Sequence, residues 1–100
     1  MKSYKTALTD PNLTDRQFRL YCVLLNEAEP IMISKEKMAE KLHTCNLTAR
    51  ATLYQLQQLG YVKYSSIYGK SSKKTYKVEL DRKNLIVQPK STIFILKVNN

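Results

Sequence analysis

One hundred residues leave room for one small domain, and 43% apolar against 25% charged side chains give it a core, which excludes a disordered tail. Lysine and arginine number 17 against 8 acids, and the net +9 is concentrated in residues 61–100, where nine basic side chains stand against two acidic ones. A polyanion is the natural partner of such a field, and nucleic acid suits it better than a membrane surface, because no basic amphipathic helix with exposed bulky apolar residues is present.

Residues 1–9 read as an arm leading to the turn signal Asp10-Pro11-Asn12, with Tyr4 and Leu8 as candidates to pin it. Thr14-Asp15-Arg16-Gln17 matches a capping box, and the helix it opens is expected to run to about Glu29, ended by Pro30. Phe18, Tyr21, Cys22, Leu24, Leu25 and Ala28 give that helix a broad apolar face. Ile31-Met32-Ile33 is too short for a helix and predicts a small first strand.

The stretch from 34 to 60 predicts two short helices joined by a tight turn. Ser34 is the expected N-cap, and Met38, Ala39 and Leu42 share one face at helical spacing. His43-Thr44-Cys45-Asn46 breaks the period with residues that favour turns and caps. Ala49, Thr52, Leu53, Leu56 and Leu59 then share a second face, and Gly60 stops the run as a left-handed C-terminal residue. Beyond it the period becomes alternating. Residues 61–68 and 74–80 predict a β-hairpin with Val62, Tyr64, Tyr76, Val78 and Leu80 facing inward and a basic tip at 69–73. Residues 81–84 read as a turn, and Leu85, Ile86 and Val87 form a short apolar run closed by Pro89. Residues 92–98 are strongly β-prone; left exposed, such a strand is an aggregation hazard, so it either adds an edge to the sheet or pairs with a second copy of the chain.

Met38-Ala39-Glu40-Lys41-Leu42-His43-Thr44-Cys45 resembles the pattern L-A-x-x-L-G-V-S without a gap. Asn46 to Val62 resembles its continuation, S-x-x-T-V-x-x-x-L-x-x-L-x-x-x-G-L-I, with Thr48, Ala49, Leu53, Leu56, Gly60 and Val62 at the matching places. The pattern is that of winged helix-turn-helix domains, especially those of bacterial regulators and of phage or plasmid replication proteins. His43 departs from it where a turn glycine is usual, and Cys45 where a capping serine or threonine is usual. The resemblance implies an α+β fold over residues 1–100, with three helices, a helix-turn-helix at 34–60 and a β-hairpin wing at 61–80. The C-terminal extension, 81–100, with its extra strand, exceeds what that fold requires.

The function implied is sequence-specific binding of double-stranded DNA. In such domains the positions of Asn46, Leu47, Thr48, Arg50, Ala51 and Tyr54 point into the major groove, with the threonine usually on phosphate. The side chains suit groove reading, because arginine binds guanine bidentately, asparagine binds adenine, and leucine or alanine sits against a thymine methyl. The plainer alternative is an ordinary solvated helix face, and Gln55, Gln57 and Gln58 beside it decide nothing. Lys63, Lys70, Lys73, Lys74 and Lys77 are positioned on the hairpin to follow phosphates or the minor groove, against the alternative that they only guard strand edges.

Among the tyrosines, Tyr21, Tyr61, Tyr64 and Tyr76 read as core or strand-face residues. Only Tyr54 and Tyr68 are expected to be free, too few for a single-strand stacking platform. Cys22 and Cys45 read as free thiols of a reducing cytoplasm, and His43 with Cys45 lacks metal-ligand spacing. The sequence shows no signal-peptide pattern, no membrane-spanning run, no Gly-rich phosphate loop and no carboxylate pair or histidine base at catalytic spacing. The expectation is a cytoplasmic, cofactor-free, non-enzymatic regulator acting by occupancy. Origin binding, docking of an acidic protein partner and homodimerisation through 92–98 stand as alternatives or additions.

Overall fold

The computed structural model describes residues 1–68 and 74–82. Their elements are α1 (Tyr4–Ala7), α2 (Asp15–Leu25), β1 (Ile31–Ser34), α3 (Lys35–Leu42), α4 (Asn46–Gln58), β2 (Val62–Tyr68) and β3 (Lys74–Leu80), a mixed α+β arrangement. The three strands form one antiparallel sheet in the order β1-β3-β2. The hairpin tip at 69–73, the Leu85–Val87 run and the strand expected at 92–98 lie outside the described residues.

The arm expected at residues 1–9 contains a single helical turn, α1. Ser3 caps it by accepting the Thr6 amide at 3.3 Å. Ala7 is buried, and the Tyr4 ring stacks on Phe18 and Tyr21, with centroids 6.1 and 6.5 Å apart. Leu8 does not share in this, being 56% exposed. The Lys2 amide donates to the Gly60 carbonyl at 2.9 Å, which ties the arm to the far end of α4.

α2 opens with the expected capping box: Thr14 Oγ1 accepts the Gln17 amide at 3.2 Å, and Gln17 Oε1 accepts the Thr14 amide at 2.9 Å. It ends at Leu25, capped by Asn26, four residues short of the expected Glu29. The reason is local: asparagine competes for helix ends, and the residue before Pro30 is barred from helical angles. Ala28, expected on the apolar face, is exposed, while Leu20 is fully buried in its place.

Ser34 caps α3 through the Lys37 amide at 3.1 Å, and Met38, Ala39 and Leu42 are buried. His43 then takes the left-handed conformation (φ 56°, ψ 47°), so the turn keeps its geometry without glycine. The Thr44 amide closes it on the Ala39 carbonyl at 3.0 Å. In α4, Ala49, Thr52, Leu53 and Leu56 are buried, and Leu59, just past the last turn, is half-buried. Gly60 ends the helix at φ +92°. A Cβ there would meet only the Lys2 stem at an ordinary 3.7 Å, so the backbone angle rather than space calls for glycine.

β3 is the central strand. Ile31 pairs with Val78 and Ile33 with Tyr76 on one side; Val62 pairs with Leu80 and Tyr64 with Val78 on the other. The inward residues of the sheet meet the apolar faces of α2, α3 and α4, and Leu20, Tyr21, Leu24, Ile33, Met38, Leu53, Leu56, Tyr61 and Tyr76 are 1% exposed or less. Long-range polar links also join the elements. Gln17 Nε2 donates to Gln55 Oε1 at 2.9 Å, joining α2 to α4. Arg82, in the segment read as a turn, donates to the Leu24 carbonyl at 3.3 Å and to the Glu27 carbonyl, tying the chain after β3 to the end of α2 and the residues that follow it. No helix among the described residues is long and apolar enough to cross a membrane.

Candidate functional site

With one side of α4 packed on the core, the opposite side carries Leu47 (68% exposed), Ala51 and Tyr54 (52% exposed), with Arg50 exposed beside them. At 3.6 residues per turn Leu47, Ala51 and Tyr54 fall on one line, diametrically opposed to the buried Leu56. The helix is only weakly amphipathic, because both of its sides carry apolar residues.

This outer side of α4 meets the inward face of the hairpin across a cleft of about 370 Å³. Leu47, Arg50, Ala51 and Tyr54 line it from the helix; Tyr64, Ser66, Lys74 and Tyr76 line it from the strands. Tyr64 and Tyr76 form its base, ring edge to face at a centroid distance of 5.6 Å. The Gln57 side chain fixes the base to the helix by accepting the Tyr64 amide at 3.1 Å. The Tyr76 hydroxyl is buried with no hydrogen-bond partner among the described residues. Among the described residues, the cleft lining combines two cations and three aromatic rings and contains no carboxylate.

Five of the expected site residues therefore converge: Leu47, Arg50, Ala51, Tyr54 and Lys74. Asn46 is exposed at the first turn of α4, outside the cleft lining. Thr48 is half-buried and its hydroxyl lies 3.2 Å from Cys45 Sγ, while Thr52 Oγ1 donates to the Thr48 carbonyl at 2.7 Å. Cys45 stands at the N-cap position without a side-chain bond to the helix backbone. Its thiol is held below its ordinary 9.0 chiefly by the Thr48 hydroxyl.

The described hairpin lysines, Lys63, Lys74 and Lys77, do not form one surface. Strand residues alternate between faces, and Lys63, Ser65 and Ile67 pair with Glu79, Lys77 and Thr75 on the side away from the core. Lys63 and Lys77 are exposed on that outer side, with Glu79 directly opposite Lys63, whereas Lys74 shares the face of Tyr76. Lys70, Lys73 and the Tyr68 side chain lie outside the described residues. Tyr64, Ser66 and Tyr76 are additions to the expected site. Period-two parity with the inward residues is the signal for them, since Ser66 follows Tyr64 by two and pairs with Tyr76. Gln55 and Gln57, which the sequence leaves as exposed polar surface, are instead structural, one bonded to Gln17 and the other to the β2 backbone.

Among the described residues no group of three or more His, Cys, Asp or Glu side chains is arranged to hold a metal ion. Comparison of the chain with protein-family models, curated proteins and solved structures finds no match.

Proposed function

We propose that the chain is a winged helix-turn-helix protein that binds double-stranded DNA with sequence specificity. In this reading α4 enters the major groove and β2–β3 is the wing beside it. The observation that carries the reading is the outer side of α4. It is exposed along its length, free of carboxylates, and bordered by Arg50 and Lys74 in one cleft, while its other side is packed to the core. A helix so mounted presents side chains on a rigid base, as groove reading needs. The element order supports it too, since α3, the His43 turn and α4 are followed at once by the hairpin, and β1 pairs with that hairpin.

The protein acts by occupancy, covering a promoter site; an origin is the alternative location. The test is a gel shift on random duplex at about 50 and 200 mM salt, followed by selection of bound sequences from the random pool. The expected result is binding that weakens steeply with salt and a recurrent selected sequence. Absence of duplex binding at the lower salt overturns the proposal and leaves an acidic protein partner as the reading to pursue.

A further inference from the structure

We infer that the cleft between α4 and the hairpin is also the seat of a small aromatic carboxylate, with its ring body among Leu47, Tyr54 and Tyr64 and its carboxylate on Arg50, and that this occupant excludes duplex. The inference rests on the DNA-binding reading above for what is excluded, and adds a regulator to it.

Three observations carry it. The first is size. The cleft volume of about 370 Å³ falls within the range of small-molecule sites, roughly 300–1,000 Å³, and leaves room for one or two fused rings. The second is a lining that groove reading does not use. A duplex read by α4 meets the exposed side of the helix, along the line of Leu47, Ala51 and Tyr54 that exposed Gln58 continues past the cleft. Tyr64 and Tyr76 lie instead at the base of the cleft, edge to face at 5.6 Å, where that reading gives them no occupant. Rings below, with Leu47 and Ala51 on the wall, suit a flat apolar body that makes stacked or edge contacts. Burial pushes the Tyr64 hydroxyl above its ordinary 10.0, Tyr76 and Tyr54 add to the rise, and Arg50 opposes it, so these groups act on one another across the cleft.

The third observation is charge, which fixes the other end of the ligand. Arg50 is exposed and stands in no salt bridge among the described residues, and the described lining holds Lys74 as a second cation and no carboxylate. A planar guanidinium is matched by a carboxylate, which it holds through two parallel hydrogen bonds. An uncharged ring compound would leave the arginine unanswered, and a small inorganic anion would leave the rings so. Because Leu47, Arg50 and Tyr54 belong to both surfaces, ligand and duplex cannot be held together.

The probe is 2-naphthoate, titrated into the full chain without DNA and followed by backbone amide NMR shifts at constant ionic strength. Acetate keeps the carboxylate without the rings, and 2-naphthalenemethanol keeps the rings without the charge. The expected result is saturable shifts centred on Ala51, Ser66 and Tyr76, with both analogues at least about tenfold weaker. Arg50→Ala, at an exposed position, should weaken naphthoate about tenfold and leave the affinity for the alcohol unchanged, which a merely structural role for Arg50 would not do. In a gel shift, naphthoate should then release duplex at concentrations near its own Kd, and acetate at equal ionic strength should not. Naphthoate bound no better than the two analogues, or shifts scattered away from the cleft, overturns the site and leaves the DNA-binding reading intact. Naphthoate seated in the cleft with duplex still bound overturns the exclusion. A chain that binds no duplex fails the DNA-binding reading, and with it the exclusion, whereas the titration without DNA still decides the site.

Discussion

Asp10 and Tyr61 lie 51 positions apart, yet the Tyr61 hydroxyl donates to Asp10 Oδ2 at 2.5 Å, and the Lys2 ammonium sits 5.2 Å from the centre of the Tyr61 ring. The carboxyl is held below its ordinary 3.8 chiefly by that hydroxyl, then by the Asn12 amide and Lys2, while burial and the same bond raise the phenol above its ordinary 10.0. The signs differ. A depressed acid contributes stability that is present above pH 3.8 and lost as pH falls through the lower folded value. A raised phenol contributes stability that is present below pH 10.0 and lost as pH climbs toward the higher folded value. Asp10→Asn is therefore expected to unfold at lower urea than the parent at neutral pH, with the gap narrowing below pH 3.8; midpoints measured across the acid range check this. His43 supports a second prediction. A side chain at φ 56° carries left-handed strain, so His43→Gly should stabilise the protein by up to about 1 kcal/mol, read as a raised urea midpoint at constant slope. Residue-level features of this kind are legible in the sequence only when local. The Thr14 and Gln17 box spans three positions and is evident there, whereas Gln17 to Gln55 and Tyr61 to Asp10 depend on which elements meet, which no periodicity encodes.

Among the elements, α3, α4 and both hairpin strands are readable because each announces its ends: Ser34, the His43 break, Gly60 and the switch from helical to alternating period. α2 reads too long because Ala28 extends an apolar pattern that Asn26 has already ended. The site is half legible. The outer side of α4 follows from helical arithmetic, but the strand side requires the register that sets Ser66 against Tyr76 and sends Lys63 and Lys77 to the other face. Arg50 is the one cation of α4, and its removal separates two roles. Arg50→Ala is expected to cost about 1–3 kcal/mol more on the selected site than on random duplex, measured by titration of both. An equal loss on the two would assign Arg50 to phosphate, and no loss would remove it from the interface.

At the scale of the molecule the split of the lysines becomes a prediction about charge. Binding in the proposed orientation brings the cleft side of the hairpin to the phosphates and keeps the outer side of the sheet in solvent. Lys74→Gln should then flatten the dependence of log affinity on log salt by about 0.9, as one lost phosphate contact does. The pair Lys63→Gln and Lys77→Gln should leave that slope unchanged, although both raise the general positive field. Salt titrations of the three proteins on one duplex give the comparison. An altered slope for the outer pair alone would mean that the sheet presents its other face to DNA.

The strand order β1-β3-β2 has a consequence in time. β1 is made before the helix pair, yet its only strand partner among the described residues is β3, so Ile31 must wait for Val78. At about 5–20 residues per second, the roughly 47 residues between them take several seconds to leave the ribosome. Throughout that interval Ile31 and Ile33, each 2% exposed or less in the finished fold, have no sheet to join. Translation paused inside the hairpin would hold the nascent chain in its most vulnerable form, with two isoleucines offered to chaperones or to neighbouring chains.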